Sequence, residues 1–131
     1  MTVRRRDGLG MSRSITSPAL TEASIMRGLM DALAAVGFDL RYHTRYSLGS
    51  HDGIGFPDIV ALRLSRDEPI AAMVAIETKG PNGRIGPGQR DWIDAFGAVR
   101  GCVMAEIVGP TDKPGQWIGY ESAIRMIEDL R

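Results

Sequence analysis

The chain has 131 residues, 44% hydrophobic and 24% charged, and its 16 basic and 16 acidic side chains leave a formal net charge of zero. This is the make-up of a soluble globular domain rather than a low-complexity chain, and the zero balance neither calls for nor excludes a polyanionic partner. One cysteine, Cys102, excludes an internal disulfide, and no apolar run approaches the ~18 residues of a membrane helix.

The length suits a single domain over 17–131, preceded by a flexible basic tail over 1–16 that carries Arg4, Arg5, Arg6 and Arg13. We read the tail as a solubilising arm, with a nucleic-acid-binding arm as the alternative. It lacks the apolar stretch of a signal peptide, so a cytoplasmic protein without membrane contact is expected.

Ser17 followed by Pro18, or Thr21 further on, offers a helix start, and Met26, Leu29, Leu33 and Val36 then recur at helical spacing up to Gly37. Glu22 continues that stripe backwards, which puts an acid on the core-facing side. Residues 38–47 form a first expected strand, 57–64 a second and 69–79 a third. The third is apolar on both faces, as a central strand should be. After a Gly/Pro-rich loop, Pro87 opens a helix with Gln89, Trp92, Ile93 and Phe96 on one side, ending at Gly97. A strand over 102–108, a loop and an amphipathic helix over 120–130 complete the order αβββαβα, an α/β domain with a mixed sheet flanked by helices.

Asp58 stands at the mouth of the second strand, where a carboxylate is costly unless something uses it. In the expected hairpin the start of the second strand lies beside the end of the third. Asp58 therefore meets Glu77, and Lys79 shares the face of Glu77 while Thr78 points away. Two neighbouring carboxylates repel, and a divalent cation removes that penalty; oxygen ligands suit Mg²⁺ or Mn²⁺ rather than zinc. The plainer alternatives are a turn acid at Asp58 and a surface ion pair between Glu77 and Lys79. They leave Glu22 on the apolar stripe as an unrelated coincidence.

Pro57-Asp58 followed by Glu77-Thr78-Lys79 resembles the PD-(D/E)XK nuclease motif. With Glu22 ahead of it and Gln89 opening the next helix before Trp92-Ile93, residues 20–108 resemble the VRR-NUC branch, although relatives tend to place a small hydroxyl residue where this chain has Gly86. The resemblance implies a restriction-endonuclease-like core and a metal-dependent nuclease. Asp58, Glu77 and the backbone carbonyl of Thr78 would bind Mg²⁺ or Mn²⁺, with Glu22 completing the site through water. Lys79 would position the attacking water, and Gln89 would orient Lys79 or the scissile phosphate.

The resemblance further implies a homodimer acting on branched or duplex DNA, such as a Holliday junction, in replication, recombination or repair. The setting would be a bacterial cell or, for a phage protein, its host's cytoplasm. The apolar side of helix 120–130, or the Trp117–Ile118 region, is the expected dimer contact. Arg41, His43 and Arg45 on the first strand, with Arg84 in the Gly/Pro loop, are candidate nucleic-acid contacts; an ordinary solvated face is the alternative for the strand residues. An inactive nucleic-acid-binding module with the same fold remains the competing function.

Overall fold

The computed structural model describes residues 20–43, 55–64 and 72–131. The expected tail, the Ser17 cap and Arg45 lie outside the described residues. Within them the first helix, α1, covers Glu22–Ala35; Thr21 is its cap, and the Thr21 hydroxyl accepts the Ser24 N–H at 3.1 Å. Of the two starts in the sequence, the structure uses the second. Ile25, Met26, Leu29 and Leu33 form the buried stripe, and the helix stops two residues before Gly37.

Five strands follow: β1 Leu40–His43, β2 Ile59–Arg63, β3 Ala72–Thr78, β4 Cys102–Gly109 and β5 Ile118–Gly119. They lie side by side in chain order. β1, β2 and β3 make an antiparallel meander, whereas β4 and β5 run parallel to β3. The turn to parallel pairing at β4 requires a crossover, and α2 (Gln89–Gly97) supplies it. The closing helix α3 covers Tyr120–Glu128.

β3 is central, as its two-sided apolar sequence requires. Val74 and Ile76 face a core shared with α1 and α3, and Ala75 packs with Ile93 of α2 and Ile107 of β4. The sheet thus lies between α1 and α3 on one side and α2 on the other. Complete burial of Ile25, Leu29, Leu33 and Phe38 is worth roughly 1.5–3 kcal/mol for each side chain.

Two expectations need correction. The order is αβββαββα, because β5 pairs Val108 with Ile118 and Gly109 with Gly119; two residues are too few to leave an alternating signature. The apolar side of α3 is not a free dimer surface either. Ala123 and Ile127 are fully buried against α1 and the sheet, whereas Trp117 and Ile118 are partly buried. No helix among the described residues is long and apolar enough to cross a membrane.

Candidate active site

The register of β2 and β3 sets Ile59 opposite Ile76. Asp58, one residue before β2, therefore falls opposite Glu77, as the hairpin geometry predicts. Alternation along β3 sends Glu77 towards α2 and Thr78 towards α1. The two sides of the strand end build two connected networks.

On the α1 side, Asp58 Oδ2 accepts both the Thr78 backbone N–H, at 2.9 Å, and the Thr78 hydroxyl, at 2.7 Å. The same hydroxyl lies 3.1 Å from Glu22 Oε2. A hydroxyl has one proton, so Thr78 can serve only one of these two carboxylates at a time. The helix start carries Glu22 to this place, which explains an acid on the apolar stripe.

On the α2 side, Gln89 Nε2 donates to Glu77 Oε2 at 2.8 Å, while Gln89 Oε1 accepts from Lys79 Nζ at 2.5 Å and from the Gly86 N–H at 2.7 Å. Lys79 Nζ also lies 3.4 Å from Glu77 Oε2. Glu77, Thr78 and Lys79 are all buried. The N-cap of α2 is Gly88, which offers no side-chain cap, and the Gln89 side chain takes up the Gly86 N–H just ahead of it.

Burial, and then the charge of Asp58, push the Glu77 carboxyl up to about 8; the Lys79 ammonium pulls it down but does not win. Glu77 Oε1 is buried with no hydrogen-bond partner. Near neutral pH Glu77 therefore keeps a proton beside Asp58, and the carboxyl groups of Asp58 and Glu22 share one hydroxyl proton, so this strand end is a place where a cation would replace protons. The donors are all hard oxygens, so the residues fit Mg²⁺ or Mn²⁺. Among the described residues no three His, Cys, Asp or Glu side chains form a ready metal cage. Two carboxylates and a backbone carbonyl would leave positions open for water and substrate, which hydrolysis requires.

The candidate DNA contacts are scattered. Arg41 is exposed, pairs with Ala61 three residues from Asp58, and donates to the Phe38 carbonyl. The backbone of His43 pairs with Ile59, and Arg45 lies outside the described residues. Arg84 is exposed in the loop between Lys79 and Gln89.

Gly55 and Phe56 are contributors the motif reading missed. Phe56 packs edge-on against Trp92 and Phe96 at 5.0 and 5.6 Å, which fastens the segment before Asp58 to α2. Gly55 has φ +84°, and a β-carbon there would lie 2.5 Å from the Gly88 carbonyl carbon and 2.7 Å from the Gln89 N. Only glycine permits that approach. Gly55→Ala is expected to cost about 2–4 kcal/mol, from left-handed strain plus the backbone clash. Chemical denaturation should show it; an unchanged midpoint would mean that the two segments part without penalty.

A mixed sheet presenting Asp58 at the mouth of one strand and Glu77-x-Lys79 at the end of its neighbour is consistent with a restriction-endonuclease-like fold. Residues 47–105 match the model of the VRR-NUC domain, a nuclease-type family. The matched span includes Asp58, Glu77, Lys79 and Gln89, while Glu22 lies ahead of it. No curated protein and no solved structure matches the chain.

Proposed function

We propose that the chain is a metal-dependent nuclease that hydrolyses DNA phosphodiester bonds, with branched DNA such as a four-way junction as the preferred substrate. The observation that carries this reading is the buried Glu77 carboxyl, held protonated by burial and by the charge of Asp58, with Lys79 3.4 Å away. An inactive binding module would have no use for two acids forced together in this way, and Asp58, Glu77 and Lys79 are all present.

Asp58, Glu77 and the Thr78 carbonyl hold the cation, with Glu22 acting through water. Bound Mg²⁺ or Mn²⁺ would act as a Lewis acid, acidify water and neutralise charge on the phosphate. Lys79 orients the attacking water and meets the negative charge that develops on the phosphate oxygens. Gln89 is a positioning residue: its Oε1 fixes the Lys79 ammonium and its Nε2 fixes one Glu77 oxygen. Cutting a two-fold symmetric junction needs two such sites, so a homodimer is the simplest assembly.

The test is a set of labelled substrates – four-way junction, flap, linear duplex and single-stranded RNA – incubated with purified protein in Mg²⁺, in Mn²⁺ and in chelator. Metal-dependent cutting is expected, fastest on the branched DNAs. Equal rates on linear and branched DNA would remove the structural preference but leave the nuclease. RNA cut in preference to every DNA would reassign the substrate.

A further inference from the structure

We propose that the hairpin over residues 110–117 is a second DNA-contacting element, with Lys113 meeting a backbone phosphate of the duplex held at the candidate active site. This rests on the nuclease reading above. β3 and β4 are parallel, with Thr78 opposite Val108 and the Lys79 N–H donating to the Val108 carbonyl at 2.8 Å. The chain leaving β4 therefore emerges beside the chain leaving β3, at the end of the sheet that carries Glu77 and Lys79.

That emerging segment is a built object. Lys113 and Trp117 exchange two backbone hydrogen bonds of 3.0 Å, and the Gln116 N–H closes the turn onto the Lys113 carbonyl at 2.9 Å. Pro114 and Gly115 occupy the centre, with Gly115 at φ +82°, as a type II turn requires. The Trp117 indole N–H donates to the Thr111 carbonyl at 3.1 Å. The ring lies over Gly109, where a β-carbon would come within 2.2 Å of Trp117 Nε1. Asp112, although exposed, is tied to the fold: its Oδ1 accepts the Gly119 N–H at 2.6 Å and the Ser122 hydroxyl at 3.4 Å. Arg90 donates to the Gln116 carbonyl. Arg90 directly follows Gln89, so the first turn of α2 holds both the catalytic lysine and the hairpin.

Lys113 is exposed, and its ammonium sits 4.7 Å from the centroid of the Trp117 ring. The ion pair among the described residues is Lys79 with Glu77, so no described carboxylate neutralises Lys113. A cleft of about 340 Å³, lined also by Pro110 and Asp112, lies between Lys113, Thr111 and Trp117 on one side and Pro81, in the loop after Lys79, on the other. The candidate site gathers the acids Glu22, Asp58 and Glu77 at one strand end with a single lysine, so a cation outside it would help to hold a polyanion there. A lysine pre-ordered by an aromatic face on a rigid hairpin loses little freedom when it binds a phosphate.

The full chain is loaded with Ca²⁺ in place of Mg²⁺, and binding of a labelled DNA duplex is followed by fluorescence anisotropy over a range of salt. Lys113→Ala should weaken binding about fivefold and lower the salt slope by about one, and Lys113→Glu should weaken it further. Lys113→Arg should restore both quantities. In cleavage assays KM should rise for Lys113→Ala with little change in kcat. Wild-type affinity and slope in both the Ala and Glu variants would overturn the proposal, even while metal-dependent cleavage and its dependence on Lys79 stand. A wild-type protein that neither binds nor cuts any duplex or junction would overturn this proposal and the nuclease reading together.

Discussion

Lys79→Ala is expected to lower turnover by about 10²–10³-fold, the range typical of losing one preorganised transition-state stabiliser. The lysine is buried and held at 2.5 Å by Gln89 Oε1, so its position is fixed before substrate arrives. Its removal has a second consequence. Lys79 is the group that pulls the Glu77 carboxyl down against burial and Asp58, so its loss raises Glu77 further and weakens metal binding near neutral pH. Single-turnover cleavage separates the two effects when run above pH 8 with saturating Mg²⁺. There the metal deficit should close while the rate deficit remains. A variant that regains the wild-type rate under those conditions would show that Lys79 serves the metal and not the chemistry. Gln89→Ala should give a smaller loss, because it loosens the lysine without deleting the charge.

Mg²⁺ affinity should rise with pH by up to about tenfold per unit below about pH 8 and level off above it, because the metal needs the Glu77 carboxylate and must displace its proton. Without metal the trend reverses. Folded Glu77 keeps its proton up to about 8, against an ordinary value of 4.5. Between those values the native state binds more protons than the unfolded state, so raising the pH removes stability until Glu77 has titrated. Melting temperatures with and without Mg²⁺ across this range should therefore diverge as pH rises, the gain in Mg²⁺ following mass action. Glu77→Gln should abolish the Mg²⁺ gain and flatten the metal-free profile. An equal Mg²⁺ shift in wild type and Glu77→Gln would place the ion elsewhere.

What the sequence made legible was what periodicity governs. Alternation along 69–79 placed β3 in the centre and separated Glu77 from Thr78, and the short connection to β2 brought Asp58 opposite Glu77. The helical stripe from Met26 to Val36 extended back to Glu22, and the structure puts that acid at the strand end. The role of the Thr78 hydroxyl was within reach of the same facts, since Thr78 points to the face that α1 covers. Other features have no periodic trace. β5 is two residues long, and the approach of Gly55 to the start of α2 is a backbone contact between segments more than thirty residues apart. The apolar side of α3 was expected at a dimer contact, because amphipathic spacing alone does not say what covers an apolar face. Only the placement of Ala123 and Ile127 against α1 and the sheet decides for the core.

The central claim is that Asp58 and Glu77 hold a divalent cation that, with Lys79, breaks a DNA phosphodiester bond. The most direct measurement is the single-turnover cleavage rate of labelled four-way-junction DNA in Mn²⁺ for wild type and Asp58→Ala, each with a matched chelator control. The account predicts cutting by wild type that chelator abolishes, and a rate at least about 10²-fold lower for Asp58→Ala, which loses a metal ligand and activity together. Junction DNA left intact by wild type, or cut equally fast by Asp58→Ala, would contradict it.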